Sequence, residues 1–391
     1  MPKIPRVSLH IETSKQHGRD LLLGIGRFLE THGPWSVSLS ERGQIDISPD
    51  WIRGWNGDGI ITRSTSREMM DLAHERGIPL VNVSYHGNLD PTLKIPCVNA
   101  DQAATGRMVA EHFERRGFVH FGFVHAEGAR WSEERRDAFI SHLEPKALSI
   151  ETFTLDPTHE AQGAAWEEDQ QELCRWIESL PIPCAVMATY DVFGARVLDA
   201  CRRVGKSAPN EVAVVGCDND PLFCAISWPP LSSAEQNVER IGFESARILN
   251  QLMLNEHPGQ DQWPLFIEPS GVITRSSSEI FAFDDRRTAN ALRFIRDQAN
   301  DKLTVNEVAA HVGISRRELE RAFRKQLDSS PYKEIQRARI TKVSNLLLQT
   351  DLTLEQISDR LGFREVSNMA SLFKKQTGHS PGEFRRMNRL S

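Results

Sequence analysis

One stretch of the chain occurs twice, 49 positions apart, and this repeat leaves the C-terminal quarter few ways to fold. The first copy is LTVNEVAAHVGISRRELERAFRKQL (303–327). In it Val305, Val308, Ala309 and Val312 recur at helical spacing, which predicts an amphipathic helix. Gly313 stops that helix, and Ser315 opens a second one with Glu318 three residues on, the pattern of a capping box. The second helix is expected to bury Leu319, Ala322, Phe323 and Leu327. The later copy, centred on 353–377, repeats each part. Leu354, Ile357, Ser358 and Leu361 form the first stripe, Gly362 the turn, and Val366, Met369, Ala370 and Phe373 the second buried side. A short helix, a Gly turn and a second helix make a helix-turn-helix. Between the copies PYKEIQRARITKVSNLLLQT, opened by Pro331, reads as one long helix that holds the two units at a fixed separation.

Charge separates the same region from the rest. Residues 286–391 carry 21 Lys+Arg against 12 Asp+Glu, a net of +9, whereas residues 1–285 carry a net of −15. An acidic body with a basic tail predicts that the tail meets a polyanion. On the second helix of the first unit the exposed side would be Arg316, Arg317, Glu320, Arg321 and Arg324. On the second unit it would be Arg364, Glu365, Ser367, Asn368, Ser371, Lys374 and Lys375. These are donors and acceptors suited to base edges and phosphates, so they are the candidate contacts to double-stranded DNA. Two such helices on one strut could enter successive major-groove segments about 34 Å apart.

This stretch, about 290–388, resembles the AraC/XylS-type DNA-binding domain, with GFREVSNMASLFKKQTGHSPGEFRR as the second-unit signature. It departs from that pattern at Asn368 and Met369, where an aromatic pair is usual, and at Asp328, where Gly is usual.

Residues 5–275 follow another rhythm. RVSLHI, WSVSLS, GDGIIT, IPLVNVS, FGFVHA, AVMATY and EVAVVGCD read as strands, alternating with helical stretches such as GRDLLLGIGRFLETHG and DQAATGRMVAEHFERRG. Strands alternating with helices of 10–15 residues predict parallel sheets with right-handed crossovers. About 270 residues is too long for one small unit, and two α/β lobes with a cleft between them are expected. The fold class is therefore a two-lobed α/β domain followed by an all-α double helix-turn-helix domain. SSSEIFAFDD (276–285) is polar and aperiodic, which marks the boundary. The expected division is 1–276, a linker at 277–288, and 289–391. The six cysteines contain no CxxC pair and read as buried, reduced thiols.

The alternating lobes resemble the effector domain of the lactose/galactose repressor family, related to periplasmic sugar-binding proteins. VNADQAATGRMVAEHFERRGFVHFGFV, SEERRDAF, ATYDVFGARVLDACRRVGKSAPNEVAVVGCDND and PPLSSAEQNVERIGFESARIL carry the match in the family's order, over about 6–276. The family's N-terminal helix-turn-helix is missing and the C-terminal units take its place. The resemblance implies a two-lobed periplasmic-binding-protein-like fold and a small-sugar effector. It places Asp101, Arg135, Asp218 and Gln236 at sugar-contacting positions. Their chemistry fits, since carboxylates accept from hydroxyls and a guanidinium donates in a fork. Trp131 and Trp166 are candidate stacking platforms. Tyr190 and Asp191 stand where the family commonly has Asn-Asp, and Lys15 and Arg19 lie in the turn after the first strand, at the cleft mouth.

Signals for catalysis are missing. No GxGxxG follows a strand, GIG at 24–26 lies within a helix, and Walker, HExxH and GxSxG patterns do not occur. Asp101 and Asp218 could imitate a paired-carboxylate glycosidase site, but Arg135 between them favours holding over cleaving. No enzyme activity, cofactor or metal is expected. No stretch has the ~20 apolar residues of a membrane helix, and the N-terminus lacks the apolar run of a signal peptide, which argues against a periplasmic binding protein. The sequence therefore predicts a cytoplasmic, sugar-responsive transcription regulator acting as a homodimer on DNA, with RNA polymerase as a further partner. Activation of sugar catabolic genes is expected, with repression and a non-sugar effector as alternatives. A pentose such as D-xylose is the first ligand to try.

Overall fold

The computed structural model describes residues 4–39, 50–63, 67–84, 95–161, 163–256, 263–282, 285–300 and 302–388. Parts of two expected elements, Ser40 of WSVSLS and residues 283–284 of the boundary stretch, lie outside the described residues. Two compact units result. One comprises 1–111 and 120–279, the other 280–391 with 112–119, and Ile280 falls inside the polar stretch 276–285.

Apolar strands with helical returns build the first lobe: β1 (Arg6–His10), α1 (Gln16–His32), β2 (Ser36–Leu39), α2 (Trp51–Gly54), β3 (Gly59–Thr62), α3 (Arg67–Glu75), β4 (Leu80–Asn82) and β5 (Val98–Ala100). The sheet order is β2-β1-β3-β4 with every pair parallel. Asn82 bridges to Cys97, which brings β5 alongside.

The second lobe follows: α4 (Gln102–Glu114), β6 (His120–Ala126), α5 (Arg130–Leu143), β7 (Ser149–Leu155), α6 (Ala164–Ser179), β8 (Cys184–Ala188), α7 (Asp191–Arg203), β9 (Val212–Cys217), α8 (Pro221–Ile226) and β10 (Ser232–Glu235). The chain then returns as α9 (Val238–Met253) and β11 (Leu265–Ile267), which pairs with β5, and ends in β12 (Gly271–Ile273). This sheet runs β12-β10-β9-β8-β6-β7, parallel except for β12 on β10. β8 and β9 are buried throughout, as central parallel strands covered on both faces must be.

Helix α9 seats on α1 because two glycines let the backbones touch. A Cβ on Gly24 would lie 1.8 Å from the Glu239 carbonyl oxygen, and one on Gly242 2.1 Å from that of Leu21. Gly24 thus serves packing, as its place inside a helix predicts. The core beneath joins Val7, Leu9 and Ile11 to Leu21, Ile25, Phe28, Ile241 and Leu249. The six cysteines are unpaired, five of them buried.

The second unit is helical: α10 (Arg286–Gln298), α11 (Val305–His311), α12 (Arg316–Leu327), α13 (Pro331–Gln349), α14 (Leu354–Arg360), α15 (Val366–Thr377) and α16 (Pro381–Asn388). The cap at Ser315 forms as a closed box, with Ser315 N–H donating to Glu318 at 2.9 Å and Glu318 N–H to the Ser315 hydroxyl at 3.2 Å. Thr304/Glu307 and Thr353/Gln356 make the same box on α11 and α14. Both turn glycines adopt left-handed φ, +69° at Gly313 and +74° at Gly362. Asp328 ends α12 at φ +46°, doing as an Asp what Gly usually does there. There are two small cores. Val308, Leu319, Phe323 and Ile335 belong to the first, and Ile340, Val343, Leu347, Ile357, Met369 and Phe373 to the second, so α13 serves both.

Candidate functional site

Parallel α/β lobes gather functional groups where strands end and loops begin, because that edge carries the loops and helix N-termini. Here the C-terminal edges of both sheets face one cleft. Glu12, Lys15 and His17 follow β1, Arg63 follows β3 and Ser84 follows β4. From the second lobe come Gln102, Trp131, Arg135, Tyr190 after β8, Asp218 after β9 and Gln236 after β10. Together they line a cavity of about 120 Å³. That is well below the roughly 300–1,000 Å³ of drug-sized sites and suits a molecule of a few polar atoms per face.

Arg135 anchors the cavity. It is 2% exposed, and a charge at that depth needs partners. Its Nε donates to Gln102 Oε1 at 3.2 Å, its Nη1 donates to the Thr189 carbonyl, and its guanidinium lies 5.3 Å from the Trp131 ring. With its amide oriented so that nitrogen faces Asp218, Gln236 donates to Asp218 Oδ1 at 2.8 Å and accepts from Arg135 Nη2 at 2.9 Å. Asp218 Oδ1 also lies 4.0 Å from His17 Nδ1 of the other lobe. Burial lowers the His17 pKa, with Arg135 adding to the effect and Asp218 opposing it. On the first lobe Glu12, 4% exposed, forms an ion pair with Arg63, whose pKa burial brings down to about 10. The cavity is thus a ring of matched donors and acceptors with an indole on one side, which is the chemistry of a hydroxyl-rich ligand.

Asp218 is presented by a strained loop. Asp218 and Asn219 sit at φ +93° and +50°, in the left-handed region. The loop is pinned from below by Asp191, which accepts from Asp220 N–H at 2.7 Å and from the Ser233 hydroxyl at 2.6 Å. Gly216 leaves room for this, since a Cβ there would lie 2.2 Å from Asp191 Oδ1. Burial raises the Asp191 pKa well above the ordinary value, and the Asp218 charge adds to that.

The sequence-predicted ligand residues therefore separate into groups. Lys15, Trp131, Arg135, Tyr190, Asp218 and Gln236 line the inner cavity. Asp101 is not among its lining residues. It caps α4 by accepting from Ala104 N–H at 2.7 Å, and the next residue, Gln102, faces inward. Asp191 holds the loop from beneath. Arg19 braces the turn after β1 through the Thr13 and Ser14 carbonyls, both at 2.9 Å, and reaches Asp220 of the second lobe at 3.4 Å. Trp166 lines a second, outer cavity of about 590 Å³, which shares Lys15, Tyr190 and Asp218 with the inner one. Glu12, His17, Arg63 and Gln102 were not singled out from sequence. Their one signal was position, each lying just beyond the end of a strand or at the start of the next helix.

On the helical unit every candidate DNA contact is exposed: Arg316, Arg317, Glu320, Arg321 and Arg324 on α12, and Arg364, Glu365, Ser367, Asn368, Ser371, Lys374 and Lys375 at α15. Two pairs lean on each other, Arg316 with Glu320 at 2.8 Å and Ser367 with Glu365 at 2.9 Å. At the departure from the usual pattern, Met369 is buried in the second core while Asn368 remains exposed. Among the described residues, no group of three or more His, Cys, Asp or Glu side chains is placed to hold a metal, and no helix is long and apolar enough to cross a membrane.

Residues 110–278 match the periplasmic binding protein-like domain family, and residues 308–387 match a helix-turn-helix domain family. The xylose operon regulatory protein of Haemophilus influenzae is 28% identical over 385 residues, 97% of this chain and 98% of that protein. Its Escherichia coli counterpart is 26% identical over 392 residues, 98% and 97% respectively. A solved structure described as the xylose-binding transcription activator xylR superposes with a TM-score of 0.63 at 25% identity, covering 99% of both chains.

Proposed function

We propose that this chain, a XylR-like transcription regulator with a periplasmic-binding-protein-like sugar domain and an AraC-type helix-turn-helix domain, switches sugar-catabolic genes on when a pentose occupies the inner cavity. It is a regulator rather than an enzyme. Its DNA is bound by the helix-turn-helix domain and its effector by the two-lobed domain. D-Xylose is the ligand to try first. The observation that carries this is the buried chain Gln102–Arg135–Gln236–Asp218, a fork donor and a carboxylate placed in one small cavity beside Trp131. The cavity's size supports a single sugar ring there.

Groups of the two lobes meet at the cavity: His17 with Asp218, Arg19 with Asp220, and the Lys15 ammonium 5.5 Å from the Tyr190 ring. A ligand that bridges the lobes stabilises this closed form over an open one, and only that difference in affinity can drive a switch. On α12 and α15, Arg316, Arg317, Glu320, Arg321, Ser367, Asn368 and Ser371 read base edges, Glu365 accepts from the Ser367 hydroxyl beside them, and Arg324, Arg364, Lys374 and Lys375 lie toward the phosphates. The protein works as a dimer in the cytoplasm and contacts RNA polymerase as an activator. Leu222, Ile226 and Trp228, 65%, 74% and 73% exposed around α8, supply an apolar surface of the kind a second copy covers. The deciding experiment is a thermal-shift screen of the whole chain against pentoses and hexoses, since ligand binding raises apparent stability. A pentose should raise the midpoint in the wild type and not in Arg135→Ala. Equal shifts in the two would remove Arg135 from the site.

A further inference from the structure

We propose that the outer cavity is a second carbohydrate subsite, so that the effector site accepts two linked sugar rings, one in each cavity. This rests on the reading of the inner cavity as a sugar site and extends it. The outer cavity measures about 590 Å³, within the range of ligand sites, against about 120 Å³ for the inner one. Lys15, Tyr190 and Asp218 line both, so a molecule in one lies against the same residues as a molecule in the other.

The outer wall is divided as a sugar ring is divided. Trp166, Val192, Ala195 and Phe223 are apolar and suit the C–H faces of a pyranose. Ser14, Gln16, Asp199 and Asp220 are polar and suit its rim of hydroxyls. The indole of Trp166 is fixed in advance. The Arg196 and Arg203 guanidinium groups lie 5.2 and 5.8 Å from its ring, and each is itself held, Arg196 by Asp169 at 3.7 Å, and Arg203 by Glu167 and Asp199, both at 2.7 Å. A platform ordered before the ligand arrives loses little freedom on binding. These charges are matched by opposite partners, and Asp220 is matched by Arg19. An ionic ligand would have to break those pairs. A neutral polyol can use the remaining acceptor capacity of the carboxylates without doing so.

Calorimetry on the full chain tests this with two matched pairs, D-xylose with xylobiose and D-glucose with cellobiose. For the pair whose single sugar binds, the disaccharide should bind at least as tightly to the wild type. Ala195→Trp, which fills the outer cavity, should weaken the disaccharide at least tenfold and leave the single sugar within twofold. Trp166→Ala should weaken the disaccharide to a similar extent, which guards against a folding defect in the first variant. The proposal is overturned if the single sugar binds and its disaccharide does not, or if Ala195→Trp leaves the disaccharide unaffected. If no sugar binds at all, the reading of the inner cavity has failed, and the second subsite falls with it.

Discussion

The carboxylate of Asp191 accepts the backbone N–H of Asp220 at 2.7 Å, and through the Ser233 hydroxyl it also reaches the N–H of Asn219, 2.9 Å from Ser233 Oγ. One buried acid thereby sets the loop that carries Asp218 toward the inner cavity and Asp220 toward Arg19. Asp191 is a positioning residue for the site rather than a contact within the inner cavity.

Removing that acid should loosen the loop. Asp191→Ala leaves the Asp220 N–H and the Ser233 hydroxyl without their acceptor, at about 1–3 kcal/mol for each buried orphan. Denaturant unfolding should show a loss of roughly 2–5 kcal/mol, with Asp191→Asn costing less because one acceptor oxygen remains. Sugar affinity should fall along with stability. Unaltered sugar affinity in a folded Asp191→Ala protein would mean the loop holds its shape without this residue.

Asp20 gives a pH signature. Burial raises its pKa from 3.8 to about 7, and the charges of Glu239, Asp218 and Glu235 add to this against the Gln16 amide, which donates to Oδ1 at 2.7 Å. The folded state thus keeps a proton that the unfolded state has released, and stability declines as pH rises from about 4 through 7. Asp20→Asn lacks that decline. The variant should gain on the wild type by roughly 1–3 kcal/mol between pH 4 and pH 8, once partial solvent exposure is allowed for. Melting temperatures of both proteins at the two pH values decide the sign, and a variant that loses ground at pH 8 contradicts it.

Base reading and phosphate holding should separate by mutation. Arg317 lies in the first turn of α12 and Asn368 near the start of α15, the part of a recognition helix that meets base edges. Arg317→Ala and Asn368→Ala should each flatten sequence preference by about 1–3 kcal/mol at one position. Lys374 lies in the last turn of α15. Lys374→Ala should weaken all sites alike and lower the salt slope by ~1. Site selection with each variant distinguishes these. A changed consensus with Lys374→Ala alone would put the helices elsewhere on the duplex.

The two helix-turn-helix units are each stapled by an arginine to carbonyls preceding their first helix, of which Leu303 and Leu352 occupy equivalent positions 49 apart. Arg339 donates to Asn300 O at 2.6 Å and Leu303 O at 3.0 Å, while Arg385 donates to Leu347 O at 3.3 Å and Leu352 O at 2.6 Å. Arg339 is the more buried of the two. Arg339→Ala should cost about 1.5–3 kcal/mol for lost charged hydrogen bonds, measured as the unfolding midpoint of the helical unit. A change under 0.5 kcal/mol would show that water replaces the guanidinium freely.

The helical unit was legible because its signals are local. Caps, turn glycines and stripes at 3–4 spacing act within one or two turns, and α11, α12, α14 and α15 fall where the repeat predicts them. In the lobes, long apolar strands and amphipathic helices were equally plain. β7, half-exposed at a sheet edge, and the three-residue β11 and β12 carry too few buried positions to leave a pattern. The site was legible in part. Arg135, Asp218 and Gln236 lie within motifs that carry the family resemblance and Trp131 just before one, but their neighbours Glu12 and Arg63 are 51 positions apart and meet only because β1 and β3 are adjacent. Asp101 and Gln102 show the limit most directly. One position along a helix start separates a cap from a cavity wall, and only the backbone direction decides which is which.

Helix α13 gives Ile335 to one core and Ile340, Val343 and Leu347 to the other, so the two units are joined by a single rigid axle of 19 residues. An axle transmits rotation as well as distance. Each residue of α-helix advances about 1.5 Å and turns about 100°. One residue inserted between Ile335 and Ile340 would barely change the reach between α12 and α15, yet it would swing one face a quarter-turn and more relative to the other. The angular phase between α12 and α15 is therefore written into the residue count of one helix.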